Sequence, residues 1–208
     1  GNKQLSPSSS PAAPAGLALQ GGNTYAAAAS SSVTASTAGS HRGCVCRPER
    51  FVAAISSRWL PKCQLPGWPW EPLSCVLNGH RRHSGVNPGE TVVIIGGGAI
   101  GLLHTELNLA CGAGRVIVCE KHADRRDRAA AMGAVTTCPE HLSEVVAEHT
   151  GGYGAELVIV AIGRNELAEE SLSLAAPGGR ASWFAGFSKG SMASITPNTV
   201  HYQELTVS

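Results

Sequence analysis

Apolar residues in the second half of the chain alternate between short unbroken runs and helical spacings. The run Val92-Val93-Ile94-Ile95, opened by Thr91, has the length of a strand covered on both faces and is too short for a core helix. Asn87-Pro88-Gly89-Glu90 is a turn signal before it, and Gly96-Gly97-Gly98 breaks it. Over residues 99–110 the apolar side chains Ile100, Leu103, Leu107 and Leu109 recur at helical spacing. Residues 115–119 form a second run, closed by Glu120.

The alternation continues to the end of the sequence. It predicts a helix over 124–132 with Gly133 as its stop, a short strand over 134–137 and a proline-opened helix over 139–149. A turn at 150–154 precedes a strand over 156–162 and a helix over 166–175. Pro177-Gly178-Gly179 reads as a turn, 180–185 as a fifth strand, and 204–207 as the start of a sixth. Upstream, Leu73, Val76 and Leu77 mark one face of a helix over 73–80, with Pro72 suited to its first turn. Strands and helices in turn build a parallel sheet covered on both faces, and right-handed crossovers favour the doubly wound order. The expected fold class is α/β, a doubly wound parallel sheet of about six strands.

The first part of the chain has a different character. Residues 1–40 are dominated by Ser, Ala, Gly and Pro with Lys3 as the lone charge, too little bulky apolar surface to offset the entropy of ordering. They are expected to be disordered and low in complexity. An organelle transit peptide is the alternative, since no acid precedes Glu49 while Arg42, Arg47 and Arg50 follow. Residues 41–70 are expected to be an irregular linker, because Pro61, Pro66 and Pro69 break any helix there. Trp59, Trp68 and Trp70 read as a local apolar patch rather than a binding surface. The folded domain is placed at 71–208, and a leading Gly in place of Met suggests a processed chain or a fragment.

Charge and cysteines narrow the function classes. The 208 residues carry 16 Lys and Arg against 15 Asp and Glu, a formal net charge of +1, so nothing points to nucleic acid or an anionic membrane as a partner. No apolar run approaches the ~20 residues that span a bilayer. The 7 cysteines are scattered and odd in number, with Cys111 and Cys119 in small or apolar company, which suits buried thiols in a reducing compartment, the cytoplasm.

Candidate chemistry centres on Gly96-Gly97-Gly98-Ala99-Ile100-Gly101, which fits G-x-G-x-x-G between a predicted strand and a predicted helix. Gly96 permits the tight turn, Gly98 lets backbone approach a pyrophosphate, and Gly101 lets the helix pack on the strand. Amides at the start of that helix would face two phosphates, aided by the helix dipole. Glu120 closes the next strand about 20 residues on, where a carboxylate binds the ribose hydroxyls of NAD and repels the extra phosphate of NADP. Arg125, with Lys121 and His122, partly offsets that preference, so NAD is favoured and NADP stays open. A glycine-rich turn serving a methyl donor or a flavin is the alternative.

Other constellations carry less. His80-Arg81-Arg82-His83 offers a histidine pair at i, i+3 but reads as a solvated helix end, so no metal residues are assigned. Ser-His-Asp hydrolysis is discounted, on the reading that no G-x-S-x-G elbow is present.

From Glu71 onward the chain resembles the cofactor domain of zinc-type medium-chain dehydrogenases, nearest the sorbitol-like polyol and threonine dehydrogenase branch. The resemblance rests on Glu71-Pro72-Leu73-Ser74-Cys75-Val76-Leu77-Asn78-Gly79, Asn87-Pro88-Gly89-Glu90-Thr91-Val92 and Gly96 to Gly101. Gly112-Ala113, Met132-Gly133-Ala134, Thr150-Gly151-Gly152, Pro177-Gly178-Gly179-Arg180 and His201-Tyr202-Gln203-Glu204-Leu205 follow in order. A zinc-independent quinone-reductase relative fits the Glu-Pro-Leu-Ser-Cys segment less well.

The resemblance implies a Rossmann domain and a set of roles. Glu71 matches the family glutamate close to the catalytic zinc and substrate; a helix-start acid is the other reading. Ala99, Ile100, Glu120 and Arg125 match cofactor-binding positions. Ile162-Gly163 and Phe184-Ala185-Gly186 match strand ends that pass under the nicotinamide, with Ala185 where the family often has glycine. Zinc is expected for the family, but its Gly-His-Glu segment is absent upstream, and Cys44, Cys46 and Cys63 do not supply the four-cysteine structural site. The implied activity is hydride transfer between a secondary alcohol or polyol and NAD(P), this chain supplying the cofactor half. The alternative is a non-catalytic dinucleotide-binding module or truncated remnant. A homo-oligomer is left open.

Overall fold

The computed structural model describes Gly1 and residues 70–208. The expectations for 2–40 and 41–69, including Cys44, Cys46, Cys63, Trp59 and Trp68, lie outside the described residues, as does the Trp70 side chain. Helix α1 (Trp70–Arg82) is followed by β1 (Thr91–Ile95), α2 (Ala99–Ala110), β2 (Arg115–Cys119), α3 (Ala123–Ala131) and β3 (Val135–Thr137). Then come α4 (Leu142–Thr150), β4 (Ala155–Val160), α5 (Asn165–Leu174), β5 (Ala175–Trp183), α6 (Pro197–Tyr202) and β6 (Thr206–Val207).

The strands form one 6-stranded sheet in the order β3-β2-β1-β4-β5-β6, with parallel pairing throughout. Side chains alternate across a strand, so each apolar run feeds two cores. Val93, Ile95, Ile117, Val158 and Val160 face one side, where Leu142 and Val146 of α4 and Leu172 of α5 cover them. Val92, Ile94, Val116, Val118, Leu157 and Ile159 face the other, beneath Leu102 of α2 and Ala129 of α3. A third cluster, Leu73, Val76, Leu103 and Leu107, glues α1 to the outer side of α2. The doubly wound α/β expectation holds.

The amino edge of the sheet is fastened by charge. Arg180 of β5 pairs with Glu90, which also accepts from the Asn87 amide at 2.8 Å and from Asn87 Nδ2 at 2.7 Å. Glu156 of β4 accepts from the Thr91 amide at 2.8 Å, and Arg115 of β2 donates to the His149 carbonyl at 2.6 Å. Burial opposes ionisation of Glu90, but Arg180 and Asn87 outweigh it and hold the carboxyl below its ordinary range.

Local expectations are corrected at three places, and one element, α6, was not foreseen. The predicted helix over 139–149 begins as a 3-10 turn, Pro139–His141, before α4 proper. Pro177-Gly178-Gly179 is not a turn outside the sheet: β5 starts at Ala175, and the pairing jumps from Ala155↔Ala175 to Leu157↔Arg180, so these residues form a bulge that absorbs the proline. Helix α6 has only 6 residues, too few to show a hydrophobic period. His80 is half-buried rather than solvated, its Nδ1 lacks a partner, and burial lowers its pKa, while His83 remains exposed.

Candidate functional site

In a parallel sheet whose order reverses between two central strands, a crevice opens outside their carboxyl ends. Here the reversal lies at β1 and β4, and Ile95 pairs in register with both Cys119 and Val160. The glycine bend, Glu120 and Ile162 therefore leave the sheet at one level. Ala161 donates to the Ile95 carbonyl at 2.9 Å, and Ala185 donates to the Val160 carbonyl at 3.0 Å, which carries the alignment past the strand ends.

Each glycine of the bend meets a different constraint. Gly96 has a φ of +115°, a conformation side chains rarely adopt, and its amide donates to the Cys119 carbonyl at 2.8 Å. A Cβ on Gly101 would overlap the Gly96 carbonyl oxygen, so α2 packs onto the bend without spacing. A Cβ on Gly98 would meet nothing within 4 Å. That open side is where a ligand's backbone contact has room. Helix α2 starts with no side-chain cap at Gly98 and no acid in its first turn, so its leading amides are presented to an incoming anion. Ala99 is exposed there, while Ile100 is half-buried against the α1–α2 cluster.

Glu120 is 5% exposed, and its carboxylate is held from two sides. The Gly97 amide donates to Oε2 at 2.9 Å and the His122 amide to Oε1 at 3.0 Å, with Arg125 Nη1 3.6 Å from Oε2. Burial resists ionisation, but these two amides and the Arg125 guanidinium prevail and hold the carboxyl below its ordinary range. Arg126 donates to the carbonyls of Glu120 and Lys121, both at 2.8 Å, bracing the peptide that carries the acid.

Beside Glu120 lies a cavity of about 260 Å³ lined by Ile95, Cys119, Lys121, Arg125, Pro139, Ile162, Arg164, Leu167 and Glu170 as well. Ile162 is 39% exposed at its rim, a large apolar side chain left without cover. Burial, then the charges of Glu170 and Glu120, push the Cys119 thiol up to about 12, so it is a neutral wall and not a nucleophile. A Cβ on Gly163 would overlap the Gly186 carbonyl oxygen, which locks the loop after β4 against the loop after β5. Ala185 is half-buried and Gly186 exposed at that junction.

The structure thus gathers Gly96, Gly98, Ala99, Ile100, Gly101, Glu120, Arg125, Ile162, Gly163, Ala185 and Gly186 at the carboxyl edge of the sheet. Glu71 stands apart in the first turn of α1, exposed, accepting from Cys75 Sγ at 3.5 Å. Sequence reasoning missed Gly97, Arg126, Pro139, Leu167 and Glu170. A ligand for Glu120 among the bend's own amides follows from strand pairing, which the motif letters do not encode. The letters G-x-S-x-G do occur at Gly186-Phe187-Ser188-Lys189-Gly190, contrary to the sequence expectation. Ser188 is exposed in a loop and the next helix begins at Pro197, so the sharp strand-to-helix turn that makes an elbow is absent.

No three His, Cys, Asp or Glu side chains come together to hold a metal ion among the described residues, so those residues do not themselves fit zinc. No described helix is long and apolar enough to cross a membrane.

Comparison with known proteins agrees with this geometry. The zinc-binding dehydrogenase family pattern matches residues 99–208. The chain is similar to scyllo-inosose 3-dehydrogenase of Thermotoga maritima, 38% identical over 101 residues, covering 47% of this chain and 26% of that protein. L-threonine 3-dehydrogenase of Bacillus licheniformis is 35% identical over 113 residues, 53% of this chain and 32% of its own length. A solved structure described as a zinc-binding dehydrogenase from Sinorhizobium meliloti 1021 bound to NADP superposes with a TM-score of 0.61 at 34% identity, covering 66% of this chain and 41% of that one. The matched segment spans about a third or less of the curated relatives.

Proposed function

The chain belongs to the zinc-binding dehydrogenase family, and on that premise we propose that it supplies the coenzyme half of an oxidoreductase acting on a secondary alcohol or polyol with NAD. The observation that carries this is Glu120, buried yet ionised, fixed by the Gly97 and His122 amides next to an uncapped helix start. A carboxylate so held accepts from both ribose hydroxyls, and the amides of Gly98, Ala99 and Ile100 receive the diphosphate. Gly163 on one strand end, and Ala185 and Gly186 on the next, support the nicotinamide, while Ile162, which shares the cavity with Glu120, faces the adenosine end. Arg125 sits close enough to Glu120 to meet a 2′-phosphate, which keeps NADP as the second coenzyme.

When bound, the nicotinamide ring takes up or releases hydride; the protein's own residues orient it and keep its adenosine end in place. Glu71 is proposed as the acid nearest the substrate. The resemblance that assigns it this role also expects a metal-bearing domain from other residues. The domain is placed at 71–208, its substrate is a small alcohol or polyol without nucleic acid or membrane as partner, and a homo-oligomer is compatible. Cys75, Cys119 and Cys138 carry no disulfide, which is compatible with the cytoplasm as the compartment.

Calorimetric titration of the purified chain with NADH and NADPH tests the reading. Binding of NADH in the micromolar range, tighter than NADPH, is the expected result; no heat from either coenzyme refutes it. A second reading, a dinucleotide-binding module without turnover, rests on the sequence, in which no Gly-His-Glu segment precedes Glu71. Elemental zinc together with turnover on sorbitol or threonine separates the two.

A further inference from the structure

Glu170 is a carboxylate that nothing so far has used. It lies on α5, one turn beyond Leu167, and its side chain lines the cavity next to Glu120. The residue is half-buried. Its neighbours make their bonds elsewhere: Arg125 lies against Glu120 at 3.6 Å, Arg164 against Glu166 at 3.4 Å, and Glu169 accepts from the Ser194 amide at 2.6 Å. Burial raises its pKa with no hydrogen bond or cation to offset the cost, unlike Glu90 and Glu120, whose partners lower theirs. The Glu170 oxygens are not among the buried unpartnered atoms, so water reaches them, and a ligand that enters the cavity must replace that water with a donor of its own.

The cavity itself limits what enters. Apolar walls at Ile95, Pro139, Ile162 and Leu167 suit a flat heteroaromatic ring, and Glu120 at its side suits the attached sugar. An ionised carboxylate is acceptor-only, so the matching group on the ring is an N–H donor. In adenine, the exocyclic 6-amino group is the donor. We propose that Glu170 is a specificity-determining residue that accepts a hydrogen bond from the 6-amino group of the bound adenine. It selects an aminopurine over a 6-oxopurine dinucleotide, and it rests on the dinucleotide reading above.

The discrimination follows from what a 6-oxopurine would bring. Its carbonyl oxygen in the amino position sets acceptor against acceptor, leaves the carboxylate unpaired and adds repulsion. Charge-assisted bonds of this kind are the stronger class, so a difference of about tenfold in Kd is expected.

The test titrates the full chain with NADH and with reduced nicotinamide hypoxanthine dinucleotide, first in the wild type and then in Glu170→Gln. The expected result is about tenfold weaker binding of the hypoxanthine coenzyme by the wild type. Glu170→Gln, whose amide can present either a donor or an acceptor, brings the two within about twofold. Equal binding by the wild type overturns the proposal without any variant, so a folding defect in Glu170→Gln cannot shelter it. A preference that survives in a folded Glu170→Gln also overturns it. Failure of both dinucleotides to bind overturns the coenzyme reading itself, a distinct outcome from equal binding.

Discussion

The Gly97 amide donates to Oε2 of Glu120 across 2.9 Å, tying the glycine bend to the end of the neighbouring strand. The bend and the acid are therefore one rigid unit, and the acid arrives already oriented. Preorganisation of this sort reduces what binding must spend on ordering side chains.

Glu120→Gln removes the charge and turns an amide nitrogen toward one of two donors, Gly97 or His122. NADH affinity is expected to fall about tenfold or more, while NADPH affinity falls less, because repulsion of the 2′-phosphate disappears with the charge. Fluorescence titration with both coenzymes checks this. An unchanged NADH to NADPH ratio contradicts the assigned role.

Gly98→Ala and Gly101→Ala separate folding from binding. The Gly98 position is open within 4 Å and its φ of −72° suits any residue, so Gly98→Ala should melt within a degree or two of the wild type yet bind coenzyme at least tenfold more weakly. Gly101→Ala drives a methyl into backbone and is expected to cost about 3 kcal/mol, lowering Tm by roughly 10 °C. Thermal melts alongside NADH titration read both.

His104 couples stability to pH. Its ring is fully buried, lies 4.6 Å edge-on from Phe184, and has no partner at Nδ1 or Nε2. Burial first, then the charge of His80, lower its pKa from 6.5 to about 4. Below pH 6.5 the unfolded chain takes up the proton before the folded one does, so stability is full above 6.5 and lost as pH falls toward 4. The loss attributable to this residue is about 3 kcal/mol. His104→Leu should flatten that acid limb and leave Tm at neutral pH equal or higher, because two unsatisfied nitrogens go with the ring. Urea melts at pH 4.5 and 7.5 measure it; an unchanged slope between them excludes His104.

Asn165→Ala should free one loop without unfolding the domain. Asn165 Nδ2 donates to the Met192 carbonyl at 2.8 Å and its Oδ1 accepts from Ser191 at 3.2 Å. Losing both is expected to raise the rate of proteolysis around residues 188–194 several-fold while global stability drops by about 1 kcal/mol. Limited proteolysis followed by mass spectrometry decides it.

Much of the sheet was legible because the two central runs Val92–Ile95 and Val116–Cys119 are apolar at every position, a pattern that burial on both faces demands. The glycine bend was legible for a similar reason: Gly96 and Gly101 are forced by backbone geometry, and such positions exclude other residues. What lies across sequence was not. Gly97 and Glu120 meet because β1 and β2 pair in register, and Glu170 reaches Glu120's cavity only because α5 folds back over the sheet. Pro177 misled because a proline followed by two glycines signals a turn, whereas tertiary pairing with β4 and β6 kept the segment in the sheet as a bulge. The buried polar residues of α2 were also unreadable. His104 and Asn108 interrupt an apolar spacing on a helix that α1 covers from outside.

The charged fasteners and the proposed coenzyme site occupy opposite rims of the sheet. Arg180 with Glu90, Glu156 with Thr91, and Arg115 with His149 all lie where the strands begin; the glycine bend and Glu120 lie where they end. A change on the open side of the opposite rim, as at Gly98, therefore leaves those ties untouched, whereas one at Gly101 strains the frame itself.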